Sequence, residues 1–250
     1  NAKNPTTADT DLLPEPRAPP QAKLWAEKHN ISIYQPEKLR RDAVDAIIEE
    51  GPWDIFIVAA YGLFLPKEIL ELPKYGVLNV HPSLLPKLRG PSPIQTAILK
   101  ENKTGVTIMQ IDEEMDHGPI VVQEEIEIPE WPLRASELEE LLSRKGGSML
   151  VDIIPDFIAG KIKATEQDHE KATYTKKIRK EDGEINLSDD AIVNFRKFCA
   201  YSTWPRTYFF TQKNDKKTRV IITDATLENS QFIIKKVIPE GGKEIDYINF

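Results

Sequence analysis

Cysteine is nearly absent. Cys199 stands alone, so no internal disulfide can close, and a reducing compartment is expected: the cytoplasm, bacterial or of an organellar matrix. Long apolar runs are also missing. None approaches the roughly 20 residues needed to cross a bilayer as a helix, and the first twenty residues hold no apolar core of a signal peptide. Four histidines and one cysteine occur in no recognised zinc-ligand spacing, and neither standard Gly-rich phosphate loop is present. Secreted disulfide scaffolds, zinc modules and P-loop nucleotide binders are set aside on these grounds. Basic residues are outnumbered by acidic ones, 33 to 40. A formal net charge of -7 argues against a general nucleic-acid binder.

The chain has 40% hydrophobic and 29% charged residues, as soluble globular proteins do, and 250 residues suffice for one large domain or two smaller ones. Its charge is uneven. Residues 171–220 hold 12 Lys/Arg against 6 Asp/Glu, so this window is +6 and the rest is -13. Such a body can hold a polyanion at one face only, or the window is an ordinary solvated lysine-rich surface.

Residues 1–20 are rich in Pro, Thr, Asp and Glu and read as a loop or disordered arm. Residues 23–30 suggest a short helix, 31–34 a short strand, and the apolar period at Leu39, Val44, Ile47 and Ile48 another helix ending at Gly51-Pro52. The run WDIFIVAA at 53–60 suggests a strand buried on both faces, as in a parallel sheet. A helix over 63–72 follows, then strands at 76–80, 106–111 and 120–128, a helix over 94–100, and a long amphipathic helix over 135–158. Strands alternating with helices point to an α/β fold with a mostly parallel, Rossmann-like sheet over 1–160. Residues 161–188 are polar and read as a linker. A helix over 191–201 and short β-like runs after it make 189–250 a small β-rich domain, with a partial barrel as the expected shape.

Three polar residues stand at strand ends. Asn79 and His81 lie two apart and so point to one side of their strand, and Asp116 follows the strand 106–111. Ligands of open α/β sheets bind at the carboxyl ends of strands. A carboxamide can hold an oxyanion without ionising, an imidazole moves protons near neutral pH, and a carboxylate fixes the imidazole or relays a proton. No Ser or Cys has a base beside it in a recognisable motif, which favours direct attack by a substrate amine over an acyl-enzyme. Other readings stay open at this level: Asn79 and His81 as turn caps, residues 116–119 as a tight turn, or His81, Asp112, Asp116 and His117 around a metal without a known ligand spacing.

The strings NVHPSLLP at 79–86 with Arg89-Gly90, GVTIM at 105–109 and MDHGP at 115–119 closely resemble the folate-dependent formyltransferases. The likeness runs from about Pro19 to the end. TYTKKI at 173–178, GEIN at 183–186, Trp204-Pro205 and VIPEGGK at 237–243 resemble the branch acting on tRNA. The resemblance implies a Rossmann-like domain followed by a small oligonucleotide-binding-like domain at 189–250. It implies 10-formyltetrahydrofolate as formyl donor, methionyl initiator tRNA as acceptor, and a monomer without metal. Asn79 and His81 would steady the oxyanion, and Asp116 would position His81 and move the amine proton. Leu63, Phe64, Leu65, Ser83, Leu84, Leu85, Pro86, Asp112, Glu113 and Met115 match the folate cradle. Lys87, Arg89, Lys176, Lys177 and Lys180 would meet tRNA phosphates. An amino-sugar nucleotide or glycinamide ribonucleotide is the alternative acceptor, and a non-catalytic folate- or RNA-binding remnant is a third reading.

Two departures stand out. Family members usually begin with a strand, a Gly-containing turn, a helix and a second strand, and none of these precedes Pro19. An N-terminally incomplete sheet is therefore expected. The family also carries a basic, Gly-rich loop where this chain has the acidic residues 8–17.

Overall fold

The computed structural model describes residues 21–62, 64–213 and 216–250. They fall into two compact units, Asn1–Asp45 and Ala46–Phe250. The acidic arm lies outside the described residues. In the first unit α1 (Gln21–Lys28) is followed by a segment without regular secondary structure. The strand expected at 31–34 does not form, and Ile31, Ile33 and Tyr34 are exposed. The helix α2 (Arg41–Glu49) straddles the boundary of the two units.

The second unit opens with β1 (Phe56–Ala59), α3 (Lys67–Leu70) and β2 (Val77–His81). Next come α4 (Pro93–Lys100), β3 (Thr104–Gln110), β4 (Ile120–Ile126) and α5 (Ala135–Ile158). The sheet order is β1-β2-β3-β4. β1 and β2 pair in parallel, but β2–β3 and β3–β4 are antiparallel. The parallel bias expected from the sequence therefore holds only at the first pair. The reason at β3–β4 is connection length: nine residues without a helix can turn a strand back but cannot cross over to a parallel neighbour.

β3 is the centre of the core, with residues Thr104 to Met109 all buried. α5 lies on it through Leu138, Leu142, Gly146 and Met149. β1 is not buried on both faces as its composition suggested. Among the described residues it has a ladder partner only in β2, and Ile57 is 41% exposed.

Residues 161–188 are irregular, yet they are not detached. Isolated bridges join Thr165 to Ile120, Tyr174 to Arg89, and Glu184 to Tyr208. Then come α6 (Ala191–Ala200), capped by the Asp190 carboxylate, and β5 (Tyr208–Lys213), β6 (Lys216–Glu228), β7 (Gln231–Pro239) and β8 (Ile245–Asp246). These strands form the expected β-rich C-terminal region, an antiparallel sheet in the linear order β5-β6-β7-β8. Asn229 and Ser230, both with positive φ, close the β6–β7 hairpin.

The contact of α5 with the sheet is a close one. A methyl on Gly146 would collide with Val80 Cγ1, whereas one on Gly147 would meet nothing. Gly147→Ala is expected to stabilise the fold by up to about 1 kcal/mol through helix propensity. Gly146→Ala is expected to destabilise it, since overpacking costs about 1–3 kcal/mol and outweighs the same propensity gain. Urea denaturation of the two variants checks this opposition of sign.

Candidate active site

β2 is short and buried, and it delivers Asn79 and His81 at its end, where Pro82 stops the ladder. Asp116 sits in the loop between β3 and β4 with φ 51, a backbone state unusual for a residue with a side chain. That conformation turns its carboxylate back toward β2. Asn79 Nδ2 donates to Asp116 Oδ1 at 3.4 Å, and His81 Nδ1 lies 3.6 Å from the same oxygen. Asp116 Oδ2 accepts a 2.7 Å hydrogen bond from the Gly90 amide. The three predicted residues thus meet.

Gly90 has φ 106, and a Cβ on it would stand 2.9 Å from Thr175 Oγ1 and 3.1 Å from the Thr175 carbonyl. Only glycine lets this amide reach Asp116 with Thr175 packed behind it.

His81 is 4% exposed. Its Nε2 is 3.0 Å from the Leu88 carbonyl. A carbonyl only accepts, so Nε2 carries the proton and the Nδ1 lone pair faces Asp116. Burial pushes the imidazole pKa below its ordinary 6.5, against the pull of the Asp116 carboxylate and the Leu88 carbonyl and with help from the nearby Arg89 charge. His81 is therefore neutral at pH 7, with a basic nitrogen beside a carboxylate. An incoming proton at Nδ1 would find a counter-ion already in place.

The turn after β2 is braced from beneath. Thr107 Oγ1 donates to the Ser83 carbonyl at 2.7 Å, and Gln123 Nε2 donates to the Leu85 carbonyl at 2.8 Å. Ser83 Oγ donates to the Lys87 carbonyl. Ser83 and Leu85 are buried in this brace, while Leu84 and Pro86 are half-buried. Of the other predicted cradle residues, Leu63 lies outside the described residues. Phe64 is 74% exposed, Leu65 half-buried and Met115 exposed. Lys67 pairs with Glu113 at 3.2 Å, which brings the segment after β1 beside the 112–115 loop. Asp112 Oδ2 is 2.7 Å from His117 Nδ1, so this carboxylate is occupied in holding the loop.

Lys176, Lys177 and Lys180 are exposed, and Lys87 is exposed beside Glu101 at 3.3 Å. Arg89 is a correction. Expected at the surface, it is 1% exposed. Its guanidinium is engaged by Gln167, His169 and Tyr174, so it has no free donor face turned to a phosphate. Gln167 and His169 were not singled out from sequence. No local periodicity marks them; they reach the site by a long-range fold of the irregular segment. His169 also stacks on His117, ring centres 4.1 Å apart and 4° from parallel. Among the described residues no cluster of three or more His, Cys, Asp or Glu is arranged to hold a metal ion, and no helix is long and apolar enough to cross a membrane.

A model of the formyl transferase family matches residues 5–154, more than half of the chain and all three residues of the trio. The chain belongs to the formyl transferase family. It is 44% identical over 193 residues to a methionyl-tRNA formyltransferase of Chloroflexus aurantiacus, covering 77% of this chain and 62% of that protein. It is 42% identical over 229 residues to one of a Sulfurihydrogenibium species, covering 90% and 72%. The chain thus spans about three fifths of the length of the first of these relatives. Among solved structures, methionyl-tRNA formyltransferase from Clostridium thermocellum superposes with a TM-score of 0.61 at 21% identity, over 90% of this chain and 92% of that one. A 4-N formyltransferase from Francisella tularensis gives 0.63 at 24%, over 79% and 80%. These structural likenesses show the shared fold.

The lowered pKa of His81 has a consequence for stability. Unfolded, the imidazole takes up a proton at about 6.5, while the folded chain resists it to lower pH. The unfolded state binds more protons in that interval, so stability rises with pH through it and is lost as pH falls. His81→Gln is expected to flatten this part of the slope in urea denaturation measured from pH 7.5 to 5. An unchanged slope contradicts the burial of a neutral His81.

Proposed function

We propose that the protein transfers the formyl group of 10-formyltetrahydrofolate to the amino group of methionine on initiator tRNA, a step of translation initiation. The observation that carries this is the meeting of Asn79, His81 and Asp116 at the end of β2, inside the segment matched by the family. The names of the curated relatives point to the same acceptor.

The residues suit the chemistry. The methionine nitrogen bonds to the formyl carbon, and the bond from that carbon to the donor nitrogen breaks. The amine must lose a proton, and the donor nitrogen must gain one. His81 Nδ1, unprotonated and facing Asp116, takes the proton as the amine attacks and passes it on as the donor nitrogen leaves. Asp116 steadies the imidazolium in between. Asn79 donates from Nδ2 with two hydrogens, one toward Asp116 and one for the oxyanion.

In this reading the donor lies beside Asp116, next in the chain to the exposed Met115. Phe64 and Met115 offer exposed apolar surface for a flat ring, and Lys67 with Glu113 holds their two segments together. In this reading residues 1–160 form the catalytic domain, 161–188 the linker, and 189–250 a tRNA-binding domain. Lys87, Lys176, Lys177 and Lys180 contact the tRNA backbone, and Arg89 leaves that list. The protein acts as a monomer, without a metal, in the cytoplasm or an organellar matrix.

The test is incubation with 10-formyltetrahydrofolate and charged initiator tRNA, following N-formylmethionine. Transfer to methionyl-tRNA is expected; transfer only to an amino-sugar nucleotide or to glycinamide ribonucleotide overturns the acceptor. Asn79→Ala is expected to lower kcat by about 10²–10³-fold, or about 2.7–4 kcal/mol, the usual loss for one oxyanion donor, with folate affinity little changed. Charge reversal at Lys176, Lys177 and Lys180 should weaken tRNA binding, most at low salt. Equal affinity at low salt removes these lysines from the tRNA surface.

A further inference from the structure

Asp116 can aim its carboxylate only while its backbone stays in the left-handed state, and something must hold it there. One side chain does so from the irregular segment after α5. Gln167 is 5% exposed. Its Nε2 donates to the Asp116 carbonyl at 2.9 Å and to the Gly118 carbonyl at 2.7 Å, spending both hydrogens on the two sides of the turn. Its Oε1 accepts from Arg89 Nε at 3.2 Å and Nη2 at 2.6 Å. A guanidinium only donates and a carbonyl only accepts, so the carboxamide has one possible orientation.

Arg89 is locked in turn. Its Nη2 donates to His169 Nδ1 at 2.9 Å, and its own backbone bridges Thr173 and Thr175 through both the amide and the carbonyl. The next residue is Gly90, whose amide holds the other oxygen of Asp116. The segment 89–90 therefore grips Asp116 twice: directly through Gly90, and through Arg89 and Gln167 behind the turn.

We propose that Gln167, oriented by the buried Arg89, is a positioning residue that sets the Asp116 carboxylate against Asn79 and His81. Its role in turnover rests on the formyl-transfer function proposed above; its role in geometry does not. Arg89 was expected to bind phosphate, and here it organises the site from within.

Gln167→Glu and Gln167→Ala test this. The first keeps the size of the side chain and its acceptor for Arg89, but turns a second acceptor onto the two carbonyls. Both variants are expected to lower kcat for formyl transfer by about 10–100-fold, the scale of a misplaced catalytic group, with donor KM within a few-fold. The second readout is the titration of His81 by NMR. The groups facing it are Asp116, which raises its pKa, the Leu88 carbonyl, which also raises it, and Arg89, which lowers it. With Asp116 loosened and Arg89 in place, the His81 titration should move further down in Gln167→Ala; in Gln167→Glu the added carboxylate offsets Arg89, so that variant is read through kcat. A residue needed only for folding would lower stability and leave both readouts of the folded fraction unchanged; that result overturns the proposal. If wild-type protein transfers no formyl group, the function fails, and the His81 titration still judges the clamp. If neither variant folds, hydrogen exchange of the Gln167 amide in the wild-type chain decides: slow exchange is expected, and fast exchange overturns the clamp.

Discussion

The Asp116 carboxylate gathers three contacts from residues 79–90, a stretch far from it in sequence. It takes a hydrogen bond from the carboxamide at the end of β2, another from a glycine amide past the following turn, and stands beside the imidazole of His81. Each contact depends on a backbone held in an unusual state. Asp116 and Leu88 have positive φ, and so does Gly90. Such states persist only where the surroundings over-determine them. Here the surroundings are the buried Thr107 with Gln123 beneath the turn, and Gln167 with Arg89 behind it.

Burial decides the electrostatics of the trio. Away from water the imidazole cannot ionise on its own, and the desolvation of its charged form outweighs the neighbouring carboxylate. The same burial strengthens the pairing with Asp116 of any proton that reaches Nδ1. The imidazole is thus neutral at rest, with a carboxylate counter-ion already beside it. Among the described residues, Ser83 is spent on the Lys87 carbonyl, and the lone cysteine is buried with its thiol pushed up to about 12.

Much of this was visible in the order of residues. The spacing of Asn79 and His81 at a strand end put them on one face, and the strand-then-acidic-loop pattern brought Asp116 into reach. The long helix over 135–158 matches α5 because its apolar side repeats at helical spacing over many turns. What escaped was set by distance along the chain. The polar composition of 161–188 says linker, and only the fold shows Gln167 under the Asp116 turn or Thr173 and Thr175 gripping residues 88–92. Arg89 was misplaced because a positive residue near a site is ordinarily solvated, whereas here its partners are supplied from that same linker. The antiparallel run of β3 and β4 was legible in their nine-residue connection, but the alternation of strands with helices along the chain pointed the other way.

The chemistry of this site turns on the protonation state of His81. Nitrogen-15 NMR of the imidazole in the wild-type chain at pH 7 reads it without any substrate. A neutral ring protonated at Nε2, with Nδ1 bare, is the expected spectrum. A ring protonated at Nδ1, or an imidazolium at that pH, would contradict the arrangement in which His81 waits as a base beside Asp116.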